Sequence, residues 1–403
     1  MMISGLSVVM GAPSAAAVGD YFDAFHATAV HLWQTGIPTE ISGWAAANHA
    51  GFRYVTWVDK DGKSSANGQV LGGAAPLAGR VGYQIGDEPD GQASLDAMLA
   101  GAAAVKAKDP DGLRIINLNN SDEADALRAQ AIQAPDIDVL SVDHYTYNTN
   151  AHSAMMKTRT VALAAGKPYW RYARSFYYKA KGPSGTAEDL RWDALSGAVY
   201  GFTGHTWFVY SVEGGSADLA PLLFSKGGDF AASKTALYAT AATLNQQLAQ
   251  IGRTLVLLES TDVRYIAQIG LLRPQGLSDW AKGAGGDPYL SSISVGGGDL
   301  LVGTFKDDCG EIYVMLQNQA HPGASIPIGN ANALSFTLSF DFGASTDATL
   351  DEGAIMALDI TTGAATPRAL ASTGAATAKL DVSLPAGDVL FFKYKNGRPF
   401  VRQ

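Results

Sequence analysis

Up to about residue 245 the chain repeats one pattern, a short apolar run followed by an alanine-rich stretch of helical period. The apolar runs are "SGLSVVMG", "ATAVHLWQ", "FRYVTWVD", "RVGYQIGD", "LRIINLN", "IDVLSVDHY", "PYWRYARSF" and "HTWFVYS". Between several of them lie "SAAAVGDYFDAFH", "ASLDAMLAGAAAVKAKD", "EADALRAQAIQ", "HSAMMKTRTVALAAG" and "TAEDLRWDALSGAVYG". A strand followed by a helix before the next strand implies parallel strands with helical crossovers. Eight such runs in ~210 residues match an α/β fold, the (β/α)8 TIM barrel, which takes about 250 residues. The rival is a doubly wound open sheet. It is disfavoured because "GAPSAAAVG", after the first run, lacks the G-x-G-x-x-G spacing of a dinucleotide turn.

From about residue 253 the period changes to short alternating strands separated by Gly, Asp, Asn and Pro, among them "LLVGTFKD", "EIYVMLQN", "LSFTLSFDF", "AKLDVSLP" and "DVLFFKYK". Close turn signals without helical period predict an antiparallel β-sandwich. The expected organisation is a barrel over 1–250 and a sandwich over 251–403, with "GLSDWAKGAGGDPY" as a long loop. The sandwich strand ends show no cluster of acids and aromatics, so its expected role is packing or assembly.

A formal net charge of −9 argues against nucleic acid or an anionic membrane as partner, since phosphate binding needs a concentrated basic face. No apolar run reaches the roughly 18–20 residues that cross a bilayer. The N-terminal segment lacks the basic start of a signal peptide and reads as a first core strand. A cytoplasmic protein and an exported one with its signal removed both fit. The single cysteine, Cys309, allows neither an intrachain disulfide nor a Cys-based zinc site.

In a parallel barrel, catalytic groups gather where strands end and loops begin. Those ends offer Trp33 and Gln34, Trp57 and Asp59, Asp87 and Glu88, Asn117 and Asn119, Asp143 with His144 and Tyr145, Arg171 and Arg174, and Trp207, Tyr210 and Glu213. Carboxylates, amides, imidazoles and large aromatics converging on one mouth suit a carbohydrate, whose hydroxyls take directional hydrogen bonds and whose ring faces stack on aromatics. The expected substrate-binding set is Trp33, Trp57, Asp87, Asn119, His144, Tyr145, Arg174, His205, Trp207 and Tyr210. The expected catalytic set is Glu88, Asp143 and Glu213. Glu88 ends an apolar strand, where burial or a like charge raises a carboxyl pKa as a general acid requires. Asp87 precedes it on the other side of the strand, which suits positioning or ligand binding. No G-x-S-x-G elbow and no H-x-x-x-H spacing occurs, so neither a serine hydrolase nor a metal or other cofactor is expected.

"GYQIGDEP" resembles the fourth-strand motif of clan A glycoside hydrolases, in which an acid/base Glu follows Asn or Asp and precedes Pro. "DVLSVDHYTY" is similar to the sixth-strand region, and "RWDALSGAVYGFTGHTWFVYS" to the last helix and strand. "LNQQLAQIG", "LLVGTFKDDCGEIYVMLQN" and "LPAGDVLFFKY" resemble the β-rich appendage of bacterial barrel glycosidases. The resemblance implies a retaining, galactosidase-like glycosidase with Glu88 as acid/base. It also implies a nucleophile Glu at the end of strand seven, where "PYWRYARSF" has Arg171 and Arg174 and no carboxylate.

Three explanations stand: the strand count is off by one and Glu213 is the second carboxylate; Asp143 takes the role; or the site binds sugar without cleaving it. Strands four and six are not neighbours in a barrel, so Glu88 and Asp143 are expected apart across the mouth. That favours an inverting pair, whose carboxyls stand about 6.5–9.5 Å apart, over a retaining one at about 5–5.5 Å. The expected function is therefore hydrolysis of glycosidic bonds in an oligo- or polysaccharide. The alternatives are a non-catalytic carbohydrate-binding protein on this scaffold and a metal-dependent sugar isomerase or lyase.

Overall fold

The computed structural model describes residues 1–8, 13–32, 37–58, 78–146, 149–182, 184–212, 218–225, 233–267, 273–321 and 333–400. The first part of the chain runs β1 (Met2–Val8), α1 (Ala15–Gly19), β2 (Ala29–Leu32), α2 (Ile37–Ala46), β3 (Tyr54–Val58), β4 (Arg80–Ile85), α3 (Gln92–Lys108), β5 (Leu113–Leu118), α4 (Asp122–Gln133), β6 (Val139–Asp143) and α5 (Thr149–Ala164). It continues with β7 (Tyr169–Arg174), β8 (Phe176–Tyr178), α6 (Ala187–Tyr200), β9 (Gly204–Val212), β10 (Leu219–Pro221) and α7 (Ala236–Leu255). Strands β1 to β7 and β9 form a closed parallel barrel, with β9 pairing both β7 and β1. Short β8 and β10 pair antiparallel beside it. Among the described residues no helix is long and apolar enough to cross a membrane.

Alternation along each strand decides what enters the barrel and what faces the helices. Val55, Ile115, Val139 and Trp170 form a separate apolar cluster inside the closed sheet. Gly204 pairs in register with Trp170, and a β-carbon on Gly204 would lie 2.1 Å from the indole Cγ. A glycine there makes room for the largest side chain in the plug.

The second part comprises β11 (Glu259–Ile266), β12 (Ser278–Asp279), β13 (Leu290–Val295), β14 (Leu300–Lys306), β15 (Ile312–Asn318), β16 (Leu334–Asp341), β17 (Ala354–Leu358), β18 (Ala365–Ala369), β19 (Ala371–Gly374), β20 (Thr377–Leu384) and β21 (Val389–Tyr394). One sheet has the order β12-β11-β14-β15-β21-β17-β18 and the other β13-β16-β20-β19. Pairing is antiparallel except between β11 and β12. Leu300, Val302, Val314 and Leu316 of the larger sheet share a core with Phe336, Leu338, Leu380 and Val382 of the smaller. The opposite face of the larger sheet sends Leu301, Phe305, Tyr313 and Phe391 into the cluster that fills the barrel's helical layer.

That sheet is thus covered twice, and α6 is the helix that covers its outer face. Thr186 and Asp189 close a reciprocal capping box at the start of α6. From α6, the Trp192 indole N–H donates to Gln319 Oε1 at 2.8 Å and Ser196 donates to Gln317 Oε1 at 2.8 Å. His321 stacks on Trp192 with ring centroids 4.2 Å apart and sits 3.0 Å from the Asp189 carboxylate. These polar groups are matched to one another across the seam, which is what burial inside an otherwise apolar layer requires.

Because Trp170 has no room to yield inside a closed sheet, Gly204→Ala is expected to overpack the plug. The expected loss is about 1–3 kcal/mol, read as a lowered thermal midpoint in circular dichroism. An unchanged midpoint would show that the indole repacks freely.

Candidate active site

Strand β4 stops at Ile85 and the chain turns sharply. Gly86 has φ 65°, and a β-carbon there would strike the Met98 side chain at 2.7 Å. Glu88 follows with φ 39°, a left-handed conformation that costs a residue with a side chain roughly 1–2 kcal/mol. Two backbone bonds hold the turn, Gly86 N–H to Val58 O at 2.6 Å and Glu88 N–H to Asn117 O at 3.1 Å. Strands β3 and β5 therefore clamp the turn from either side. The result is an exposed Glu88 and a half-buried Asp87 beside it.

Asp87 is held from within the barrel. Asn117 Nδ2 donates to its Oδ1 at 2.8 Å and Gln84 Nε2 at 3.3 Å. Gln84 in turn accepts from the Tyr172 hydroxyl, which lies 3.1 Å from His31 Nδ1. A polar chain thus crosses the barrel from β2 through β7 and β4 to β5. Asp143, at the end of β6 and only 6% exposed, places its carboxyl in hydrogen-bonding reach of the Glu88 carboxyl and the Tyr145 hydroxyl. Tyr145 stacks on Phe208 with centroids 5.1 Å apart and meets Phe176 edge-on at 5.2 Å.

The electrostatics follow from this crowding. Burial pushes Asp87 up to about 7, helped by the charge of Glu88 and opposed by the Asn117 hydrogen bond. Burial also raises Asp143 well above the usual carboxylate range, with the Glu88 charge, the Glu88 hydrogen bond and the Asp87 charge adding to it. Two carboxyls brought this close cannot both ionise cheaply, and that cost adds to the effect of burial at Asp143. His31, buried deep in the barrel, is lowered to about 3 and stays neutral.

Two expectations are corrected by this geometry. Glu88 and Asp143 do not stand apart across the mouth: the barrel is narrow enough for side chains from β4 and β6 to meet over the end of β5. Nor does the burial expected of Glu88 fall on it; Asp143 and Asp87 carry that burial, because the left-handed turn swings Glu88 outward. The strand count is not off by one, with Tyr169–Arg174 seventh in the barrel and Gly204–Val212 eighth. Glu213 therefore follows the eighth strand rather than ending the seventh. Together with Trp33, Gln34 and Asp59 it lies outside the described residues.

The remaining candidates divide. Trp57 is buried at the end of β3, in register with Gln84. His144 is half-buried with its ring on the Thr146 hydroxyl. Asn119 serves its own loop, accepting from Ser121 N–H at 3.0 Å, and Asn117 takes the contact to Asp87 instead. Arg174 donates to Phe176 O and to Ser184 Oγ, each at 2.8 Å.

His205, Trp207 and Tyr210 do not line the mouth. His205 is 1% exposed, is the register partner of Arg171, and has neither ring nitrogen hydrogen-bonded among the described residues; burial lowers its pKa far below the ordinary value. Trp207 is fully buried and donates to Asn245 of α7 at 2.7 Å. Tyr210 packs edge-on against Tyr21 with centroids 4.8 Å apart. Gln84, Tyr172 and His31 join the site without having been singled out by the sequence pattern. Strand parity is the signal that finds them, since each lies on the inward face of its strand.

Among the described residues, three metal-type ligands meet within 4.8 Å only at Asp307, Asp308 and Cys309, on the β14–β15 hairpin. The barrel mouth offers no such grouping among those residues.

No protein-family profile matches the sequence, and no curated protein matches it. Solved structures do. One described as a glycoside hydrolase superposes with a TM-score of 0.57 at 11% identity, covering 98% of this chain and 92% of that one. A glycoside hydrolase family 5 structure from Bacteroides vulgatus ATCC 8482 gives 0.56 at 10% identity, covering 100% and 91%. At such identities the likeness is one of fold. This chain has the architecture of those glycoside hydrolases, a (β/α)8 barrel carrying an antiparallel β domain.

The raised Asp87 has a consequence for stability. The ordinary value for its carboxyl is 3.8 and the folded chain pushes it up to about 7, so between those pH values the folded chain holds a proton that the unfolded chain releases. Stability must therefore fall as pH rises through that window, by at most about 1.4 kcal/mol for each pH unit crossed. Asp87→Asn removes this burden. The variant's gain in thermal midpoint over the wild type is expected to be smallest near pH 4 and to grow toward pH 8. A gain independent of pH would mean that Asp87 is not held protonated.

Proposed function

We propose that the protein is a glycoside hydrolase acting on an oligo- or polysaccharide, with Glu88 as general acid. The observation that carries this reading is the contact of the Glu88 and Asp143 carboxyls at the C-terminal mouth of the barrel. A general acid must hold a proton near neutral pH and reach the substrate. Asp143 keeps a proton in the pair by burial, and Glu88 is the exposed member that can pass it outward. In the step, Glu88 gives that proton to the glycosidic oxygen as its bond to the anomeric carbon breaks. Water adds hydroxide to that carbon, and a second carboxylate takes the remaining proton.

Asp143 or Glu213 fills that second role. For Asp143 the pair must open as substrate enters, because carboxyls in contact are closer than the about 6.5–9.5 Å that a base acting on water needs. Asp87, fixed by Asn117 and Gln84, is a binding and positioning group.

A second reading, carbohydrate binding without cleavage, is favoured by one observation. Strand β7 ends in Arg174 where the resembling glycosidases place a carboxylate. Both readings are tested by following sugars released from a broad oligosaccharide and polysaccharide panel by wild type, Glu88→Gln and Asp143→Asn. Loss of about 10²–10⁴-fold in Glu88→Gln, with the variant still folded, is expected if Glu88 is the acid. Equal cleavage by Glu88→Gln removes Glu88 from the role. Retention of sugars by a wild type that cleaves none would establish the second reading.

A further inference from the structure

We propose that the mouth recognises a free amino group, so that the substrate is an amino sugar whose ammonium is held by Asp87, Asp143 and the side-chain carbonyl of Asn117. The inference rests on the carbohydrate reading above and names the substrate class for the same site. Its first support is charge. The charges that bear most on Asp143 are those of Glu88 and Asp87, and the one that bears on Asp87 is that of Glu88; all are carboxylates. Three acids whose strongest electrostatic neighbours are one another make a site that a cation completes.

The second support is independent of charge. Asp143 Oδ1 and Asn117 Oδ1 are both buried without a hydrogen-bond partner among the described residues, in side chains 6% and 2% exposed. The Asn117 amide is oriented by its Nδ2 bond to Asp87, which leaves its carbonyl oxygen beside that carboxylate. A buried acceptor left open costs about 1–3 kcal/mol, so the free site carries an unmet demand for donors.

Both open positions here are acceptors, and the neighbouring groups are carboxyls that ionise once an ammonium supplies the missing positive charge. An ammonium offers three donors and a full positive charge on one atom. A sugar hydroxyl offers one donor and no charge, and an N-acetyl group adds a carbonyl that meets only other acceptors. A metal ion fits less well, since no three carboxylate ligands of the mouth come within 4.8 Å of one another among the described residues. With the amino group on Asp143, the second carboxylate of the reaction falls to Glu213, and the exposed Glu88 faces the glycosidic oxygen.

Calorimetric titration of the full chain with glucosamine and galactosamine, against glucose, galactose and their N-acetylamino forms, tests this without assuming a linkage. The amino sugars are expected to bind at least about tenfold more tightly than the neutral ones, and Asp87→Asn, close in shape, to erase most of that preference. Neutral or N-acetylated sugars binding as well as the amino sugars would overturn the proposal. So would an amino-sugar preference that Asp87→Asn leaves intact, or no binding by any of the sugars. Cleavage of neutral oligosaccharides that depends on Glu88 would then leave the glycosidase reading standing without the ammonium site.

Discussion

Closure of the parallel sheet is the constraint on which the rest of the molecule depends. When β9 returns to pair with β1, the ends of all eight barrel strands are brought round one mouth. An open sheet of the same strands would spread β4, β5 and β6 along a line and leave Asp143 a full strand's width from Glu88. Curling the sheet brings their inward side chains together over the end of β5. The same curvature crowds the plug below, and Gly204 opposite Trp170 is where that crowding is relieved. Packing at one end of the barrel and proximity at the other are two effects of one geometry.

What was legible in the sequence was what depends on local period. Alternating apolar runs and helical stretches locate the barrel strands, and "IGDEPDG" marks the end of the fourth. Contacts made across the barrel were not legible, because they depend on its diameter and on which way each strand end turns. The separation of Glu88 from Asp143 is the clearest instance: sequence distance and strand number suggested opposite sides, while curvature and the left-handed turn at Glu88 produced contact. Strand parity carries more than local period does. Trp170, Tyr172 and Arg174 share one face of β7, which leaves Arg171 and its register partner His205 facing the helices. That parity withdraws His205 and Trp207 from the mouth and brings forward Tyr172 and Gln84.

The polar chain from His31 to Asp87 explains how so acidic a turn is tolerated at the end of an apolar strand. Neutral donors, the amides of Asn117 and Gln84, reach Asp87 from within, and among the described residues no guanidinium or ammonium joins them. Amide donors steady a carboxyl in place without forcing it to ionise, whereas a guanidinium would pin it as an anion. Asp87 therefore stays in place without being forced to ionise.

Strand β7 ties the barrel to the C-terminal sheets. Its Arg171 makes a buried ion pair with Asp193 of α6, and the same carboxylate accepts the backbone N–H of Arg174 at 2.9 Å. One turn earlier on that helix Asp189 faces His321, and between them Trp192 carries the stack of His321. The end of β7 is thus tied through α6 to the C-terminal sheets. Breaking a buried pair of this kind costs about 3–5 kcal/mol. A strand end committed in this way serves the joint between barrel and sheets. Strand β4 is tied to its own helix at the other end: Arg80 and Tyr83 both reach the buried Asp109 at the end of α3, which leaves the Asp87–Glu88 turn outside that joint. At strand seven the helix-facing Arg171 and the backbone of Arg174 hold the two parts of the molecule together, while the Arg174 side chain, on the opposite face of the strand, turns to Phe176 O and Ser184 Oγ.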